Sequence, residues 1–173
     1  PTNDLVDTYN SGSCSASNAR MLEQLYFAYG RYLEIASSRG IALPSNLQGI
    51  WSNTSYAAWN ADIHANINVQ MNYWPAEITN LSEMHMPFLD YIINMSNSAQ
   101  WQSYAKHTCS GRTNSSAGRS FNSRGWTCFT ENNIFGGVGP WAHNYAVANA
   151  WYCTHLWQHY AYTLDEDYLA KAF

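Results

Sequence analysis

The sequence is poor in charge, because charged residues make up 12% of its 173 positions, about half the usual share in a soluble domain. The 8 basic residues are scattered, and with 12 acidic ones they give a formal net charge of −4. Such a chain lacks the basic patch that binds nucleic acid phosphates. It also lacks any apolar run near the ~20 residues of a membrane-spanning helix. We therefore expect neither a nucleic acid partner nor a membrane span.

The cysteines also lack metal-ligand spacing, since no two of Cys14, Cys109, Cys128 and Cys153 lie two to four positions apart. We expect no metal and no cofactor. Cys109 and Cys128 bracket a polar stretch that a disulfide could close in an oxidising compartment. Four reduced, mostly buried thiols are the alternative.

Aromatic residues, by contrast, are abundant, at 16% of the chain with 8 Trp and 13 Tyr. Asn and Ser are also frequent. Flat apolar rings and neutral amides are the groups with which a cleft binds the faces and hydroxyls of sugars. The composition therefore indicates a globular, aromatic-rich core and is compatible with a carbohydrate site.

Apolar residues recur at three- and four-residue steps in three stretches, which predicts three long helices over Ala16–Ser38, Ser82–Ser96 and residues 141–163. The third is apolar on most sides and is expected to be buried. Residues 101–106 either extend the second helix or form a short neighbour. Tyr26 and Tyr29 of the first helix are expected to pack in the core.

The remaining stretches are polar and aperiodic. Residues 1–15 are interpreted as a lead-in loop, residues 41–59 and 110–139 as long loops, and residues 165–173 as the start of a further helix. Long helices separated by long loops are typical of helical hairpins packed in a ring with functional loops at one end. A plain bundle would have shorter loops. We predict an all-α fold and a chain that is one piece of a larger protein.

The densest polar segment lies between the first two long helices, where polar and apolar residues alternate from Asp62 to Met71. If this segment is extended, its polar side chains share one face. Those side chains are Asp62, His64, Asn66, Asn68 and Gln70. The alternative is an Asn-rich turn that precedes a helix.

The run HANINVQMNYWPAE at residues 64–77 resembles the signature of glycoside hydrolase family 95. LPSNLQGIW at residues 43–51, NNIFGG at 132–137 and WYCTHLWQHY at 151–160 fit the same family in the same order. The resemblance covers roughly residues 20–173.

The resemblance implies an inverting exo-α-L-fucosidase, with α-1,2 linkages as the foremost expectation, or an α-L-galactosidase. It implies that residues 16–173 are the N-terminal part of an (α/α)6 toroid, truncated at its C-terminal end and flanked by β-rich domains in full-length members. It matches Asn66 and Asn68 to the pair that holds the nucleophilic water. His64 matches a sugar-binding histidine, and Trp141 matches a substrate-contacting tryptophan.

The family's general acid is a Glu in a Ser-Pro-Glu-like stretch beyond the long helix, and no such stretch occurs in these 173 residues. The resemblance therefore implies that this chain alone is inactive. Its expected partners are a glycan substrate, the remainder of its own catalytic domain and the β-rich domains. A secreted or periplasmic location is expected for an enzyme of external glycans.

Two other functions fit the sequence less well. One is a non-catalytic carbohydrate-binding or scaffold domain of the same fold. The other is a different toroid enzyme such as a lyase, which would use a Tyr or His base and is disfavoured by the Asn pair.

Four further side chains are weighed as site residues. His155 and His159 have a helical spacing that suits two metal ligands but are expected to be structural. Glu77 is expected to cap or pair near the second long helix, and Glu131 either lines the site or is solvated in a loop.

Overall fold

The computed structural model describes residues 1–110, with the backbone alone for 106–110, and residues 125–137, 145 and 147–173. The described part is mostly helical, which confirms the all-α class. Its helices are α1 (Thr2–Asn10), α2 (Ala16–Ser38), α3 (Asn68–Tyr73), α4 (Pro75–Ile78), α5 (Ser82–Ser96), α6 (Ala99–Ser110), α7 (Ala148–Thr163) and α8 (Glu166–Ala172). Two short strands, β1 (Ile63–His64) and β2 (Glu131–Asn132), pair antiparallel.

The periodic pattern predicted α2 and α5 with their observed bounds. The Ser15 hydroxyl accepts a hydrogen bond from the Asn18 backbone N–H at 3.2 Å and so caps α2. Residues 99–110 form a separate helix rather than an extension of α5. The predicted start of the third long helix lies partly outside the described residues, which show α7 from Ala148 onward.

The lead-in loop predicted for residues 1–15 is wrong in its first part, because Thr2–Asn10 is helical. This helix buries no residue and has only 9 residues, most of them polar, which is too short a stretch for an apolar repeat to predict a helix. It is supported locally, since Asp4 lies in its positive first turn. The Tyr9 hydroxyl donates to the Glu23 carboxylate at 2.9 Å and ties α1 to α2.

The core surrounds α5, which packs against α2, α4, α6 and α7. Phe88 at its centre is fully buried and contacts Tyr73 and Tyr152, with ring centroids 5.2 and 5.0 Å apart. Trp101 of α6 is equally buried and stacks on Trp126 at 5.3 Å. Interlocking rings of this kind account for part of the chain's aromatic content.

The outer faces of α2 and α7 differ from expectation. Tyr26 and Tyr29, predicted to lie in the core, are 81% and 56% exposed, because no described element covers that side of α2. Similarly, α7 buries one side, including Tyr152 and His155, while Trp157 on another side is exposed. Within the described chain, the burial predicted for this helix is therefore confirmed on one side only.

None of the helices in the described ranges combines the length and apolar character needed to cross a bilayer.

The loop after β2 makes a close approach to the core at Gly136. This glycine has a φ of +75°, and its carbonyl accepts a hydrogen bond from the Trp101 indole N–H at 3.0 Å. A Cβ atom there would lie 2.7 Å from the Met95 sulfur and 3.0 Å from the same indole nitrogen. Both the backbone conformation and the packing therefore require glycine.

We expect Gly136→Ala to lower the free energy of unfolding by roughly 1–3 kcal/mol, from left-handed strain and the clash together. Thermal unfolding of the full-length protein measures this. Gly12 has a similar φ of +72° but open space around it, so Gly12→Ala should cost clearly less. Equal losses in the two variants would contradict the packing argument.

Candidate active site

The two strands bring together segments nearly 70 positions apart in the sequence. Ile63 lies opposite Asn132, and His64 lies opposite Glu131. The Asn132 side-chain amide donates to the Phe129 carbonyl at 2.7 Å and reaches the Ile63 carbonyl at 3.4 Å. This pairing places the His64 imidazole beside the Glu131 carboxylate. Of the two roles that the sequence allows for Glu131, site lining and solvation in a loop, it favours site lining.

His64 lies between two carboxylates. Its Nδ1–H donates to the Asp62 carboxylate, and its Nε2 is 3.6 Å from Glu131 Oε1. All three side chains are largely buried. Burial raises the pKa of Asp62, and the hydrogen bond from His64 opposes that rise. The Asp62 contact selects the tautomer and orientation of the ring, so Nε2 is the nitrogen available to a ligand.

The backbone before His64 is strained. Trp59, Asn60 and Ala61 have φ values of 54°, 58° and 52°, in a region that non-glycine residues rarely adopt. The turn holds the Trp59 indole edge-to-face with His64, 5.8 Å between ring centroids, and leaves Trp59 71% exposed. Strain of this kind concentrates at functional sites. An exposed indole next to an oriented imidazole can stack on a sugar ring.

The extended segment predicted from Asp62 to Met71 is wrong beyond His64. The chain turns at residues 65–67, and α3 begins at Asn68. The physical reason is burial, since the helix places Val69, Gln70 and Tyr73 in the interior. The alternative interpretation, an Asn-rich turn preceding a helix, is therefore confirmed. Asn66 and Asn68 are therefore not neighbours on one face of an extended strand.

Asn66 and Asn68 nevertheless lie at the same turn. Asn66 is exposed, and Asn68, the first residue of α3, is half-buried. Within the described chain, neither side-chain amide makes a hydrogen bond to another residue. Their amides are thus available to hold water or a sugar hydroxyl, with His64 only two residues upstream.

Two of the sequence predictions involve side chains outside the described part of the chain. Trp141 lies outside the described residues. The Cys109 side chain does as well, while Cys128 is a buried, free thiol. The predicted proximity of Cys109 and Cys128 therefore stays a prediction.

Sequence reasoning missed two members of the site. Asp62 is one of the polar residues of the alternating segment, and its position two residues before His64 is the signal that could predict their contact. Trp59 carried no signal, because its placement depends on the left-handed turn.

A second polar cluster lies inside the helical core. Glu77 Oε1 accepts hydrogen bonds from His85 Nδ1–H and His159 Nδ1–H, both at 2.7 Å, and Oε2 accepts one from the Ser82 hydroxyl at 2.5 Å. His155 Nδ1–H donates to His85 Nε2 at 3.0 Å. This Glu77 cluster joins α4, α5 and α7. The pairing expected for Glu77 is confirmed, and His155 and His159 both lie in the core as hydrogen-bond partners in this cluster.

Burial and hydrogen bonding set the charges of the Glu77 cluster. Burial would raise the pKa of Glu77, but hydrogen bonds from His159, His85 and Ser82 hold it well below its ordinary value. Burial lowers the pKa of His85 and lowers that of His155 to about 3. The cluster is thus an anionic acceptor with imidazole donors.

A metal could in principle use Glu77, His85 and His159, whose ligand atoms lie within 4.8 Å of one another. The imidazole nitrogens, however, are 2.7 Å from the carboxylate oxygen. Two ligands on one tetrahedral zinc lie roughly 3.3 Å apart. The spacing is that of hydrogen bonds, which account for the cluster without an ion.

The cluster predicts acid sensitivity. Because the folded-state pKa of His155 is depressed from 6.5 to about 3, its contribution to stability is complete above pH 6.5 and is lost as the pH falls toward 3. The depressed pKa of His85 and that of Glu77 act in the same direction. We expect the unfolding free energy to decrease as the pH falls below 6.5, with a slope that approaches about 1.4 kcal/mol per pH unit for each such histidine.

Thermal unfolding of the full-length protein between pH 7.5 and pH 5 checks this. His155→Gln keeps an amide donor for His85 but does not titrate, so its pH dependence should be shallower. An unchanged slope in that variant would contradict the assignment.

Comparison with known proteins gives one consistent result. The model of the Glycosyl hydrolase family 95 catalytic domain matches residues 1–173. A probable alpha-fucosidase A of Aspergillus niger is 36% identical over 170 residues, covering 95% of this chain and 19% of the relative. Alpha-L-fucosidase 2 of Arabidopsis thaliana is 35% identical over 156 residues, covering 87% and 17%. A probable alpha-fucosidase A of Aspergillus oryzae is 36% identical over 173 residues, covering 97% and 22%. The chain thus spans about a fifth of these relatives' length.

Proposed function

This chain belongs to the catalytic domains of glycosyl hydrolase family 95, and from that premise we propose that its protein hydrolyses terminal α-L-fucose from glycans. We propose α-1,2-linked fucose as the preferred substrate and α-L-galactose as the alternative sugar. The family match and the names of the relatives support a glycosidase. The choice of sugar and linkage is our inference.

The observation that carries the proposal is the grouping of His64, Asn66 and Asn68 at one turn beside Asp62 and Glu131. His64 is oriented by its carboxylate neighbour and presents Nε2. The two amides have no partner within the described chain, as a water-binding pair requires. Trp59 adds an exposed aromatic surface on which the apolar face of a sugar can stack.

We propose an inverting mechanism in which Asn66 and Asn68 hold the attacking water. An amide orients water but is too weak a base to remove its proton. Inversion requires a carboxylate as base on one face of the sugar and a carboxylic acid on the leaving-group oxygen on the other. We place that acid outside residues 1–173, in the remainder of an (α/α)6 toroid. The 173-residue chain alone is then expected to be inactive.

The substrate class also suggests where the protein works. Terminal fucose of external glycans is met outside the cytoplasm, so we propose a secreted or periplasmic enzyme. Its β-rich flanking domains and the rest of its catalytic domain are its proposed structural partners.

Steady-state hydrolysis of aryl glycosides by the full-length protein tests the function. We expect turnover of an aryl α-L-fucoside or α-L-galactoside and none of the β-D-galactoside control. Calorimetric binding of L-fucose without turnover of any α-L-glycoside would instead support the non-catalytic carbohydrate-binding alternative and overturn the proposal.

A further inference from the structure

The backbone of Ala65, between His64 and Asn66, is held from both sides. Its N–H donates to the Thr130 carbonyl at 2.7 Å. Its carbonyl accepts a hydrogen bond from the Gln70 side-chain amide at 2.5 Å. Ala65 itself is fully buried. The first contact continues the pairing of β1 with β2, whereas the second depends on one side chain of α3.

Gln70 is an unusual choice for packing alone. Its side chain is fully buried, yet its Oε1 has no hydrogen-bond partner in the described chain. A buried amide with an unsatisfied oxygen is disfavoured relative to an apolar side chain of equal length. The position therefore uses the N–H donor of glutamine, and that donor serves the carbonyl that precedes Asn66.

We propose that Gln70 is a positioning residue that sets the placement of Asn66 relative to Asn68. Gln70 is rooted in α3, two residues after Asn68, the first residue of that helix. Its side-chain amide donates a hydrogen bond to the Ala65 carbonyl, in the peptide that precedes Asn66. One side chain thus links the helix that carries one amide to the peptide that carries the other. The inference rests on the proposed role of this pair in holding the attacking water.

The main test is Gln70→Met in the full-length protein, because methionine keeps the length and apolar packing but has no N–H donor. We expect kcat to fall about tenfold or more, since small displacements of a positioning group are costly in rate, while KM changes less than threefold. Hydrogen exchange of the backbone amides of residues 66–68 should become faster.

Gln102→Met is the matched control. The Gln102 amide also donates to a backbone carbonyl, that of Ser96 at 3.3 Å, but at the junction of α5 and α6. Its kcat and its exchange at residues 66–68 should equal those of the parent protein. If Gln70→Met behaves like this control in both readouts, the inference is overturned.

Gln70→Glu provides a readout that a packing role would not move. The introduced carboxyl group can donate to the Ala65 carbonyl only when it is protonated. Its kcat, relative to the parent, should therefore recover as the pH is lowered. A ratio that is independent of pH would count against the positioning role.

The water-holding function of Asn66 and the positioning role of Gln70 can be contradicted independently of each other. If Asn66→Ala leaves kcat unchanged, the water-holding function is wrong. Faster exchange at residues 66–68 in Gln70→Met would still show that Gln70 holds this segment. If Asn66→Ala abolishes turnover but Gln70→Met does not reduce it, the function stands and the positioning role is wrong.

Discussion

Asn66→Ala and Asn68→Ala should each lower kcat of the full-length protein about 10²-fold or more while KM stays within about threefold, on the scale measured for single preorganised polar groups. Both amides lie at the turn that follows β1, and neither is occupied by another described residue. An amide that holds the attacking water acts mainly in the transition state, so its loss appears in kcat rather than in substrate binding.

Asn97→Ala is the control for these variants. The Asn97 amide donates to the Ile93 carbonyl at 2.9 Å at the exposed end of α5, so its removal should leave both constants unchanged. His64→Ala should differ from the Asn variants, because a sugar-binding side chain contributes to KM. Asn66→Ala and Asn68→Ala with the kinetics of Asn97→Ala would contradict the water-holding role.

Glu77→Ala should lower the free energy of unfolding by about 3–5 kcal/mol, the usual cost of removing one partner from a buried charged network. The Glu77 carboxylate is buried and accepts hydrogen bonds from His85, His159 and Ser82. Its removal leaves those donors in the core without an acceptor. Chemical denaturation of the full-length protein measures the loss.

Glu83 offers a matched control only six positions away. Its side chain is exposed in the first turn of α5, so Glu83→Ala should change stability by less than about 0.5 kcal/mol. Glu77→Gln, which keeps one acceptor oxygen, should fall between the two. Equal stability of Glu77→Ala and Glu83→Ala would show that the cluster does not join the helices.

The sequence could predict the helices whose apolar residues repeat around one face. For α2 and α5 the pattern and the bounds agree. Prediction from the sequence was wrong where two patterns overlapped in one segment. The alternation after Asp62 resembled a strand, but burial of Val69 and Tyr73 favours a helix there. The exposure of Tyr26 could not be foreseen, because the apolar period says which residues share a face and not what covers it.

The candidate site was predictable in its local part and not in its long-range part. His64, Asn66 and Asn68 were found because they stand within five consecutive residues of a specific motif. The contact of Glu131 with His64 depends on the pairing of two two-residue strands that lie nearly 70 positions apart in the sequence. The Glu77 cluster likewise combines residues from three helices, and no spacing in the sequence reports such a meeting.

The stereochemistry of the released sugar tests the central claim most directly, because it reports whether a held water attacks the sugar in a single displacement. Proton NMR of the full-length protein acting on an aryl α-L-fucoside follows the first anomer to form, before mutarotation. The account predicts β-L-fucose first, with its formation lost in the Asn66→Ala, Asn68→Ala double variant. First-formed α-L-fucose, or undiminished turnover by the double variant, would contradict it.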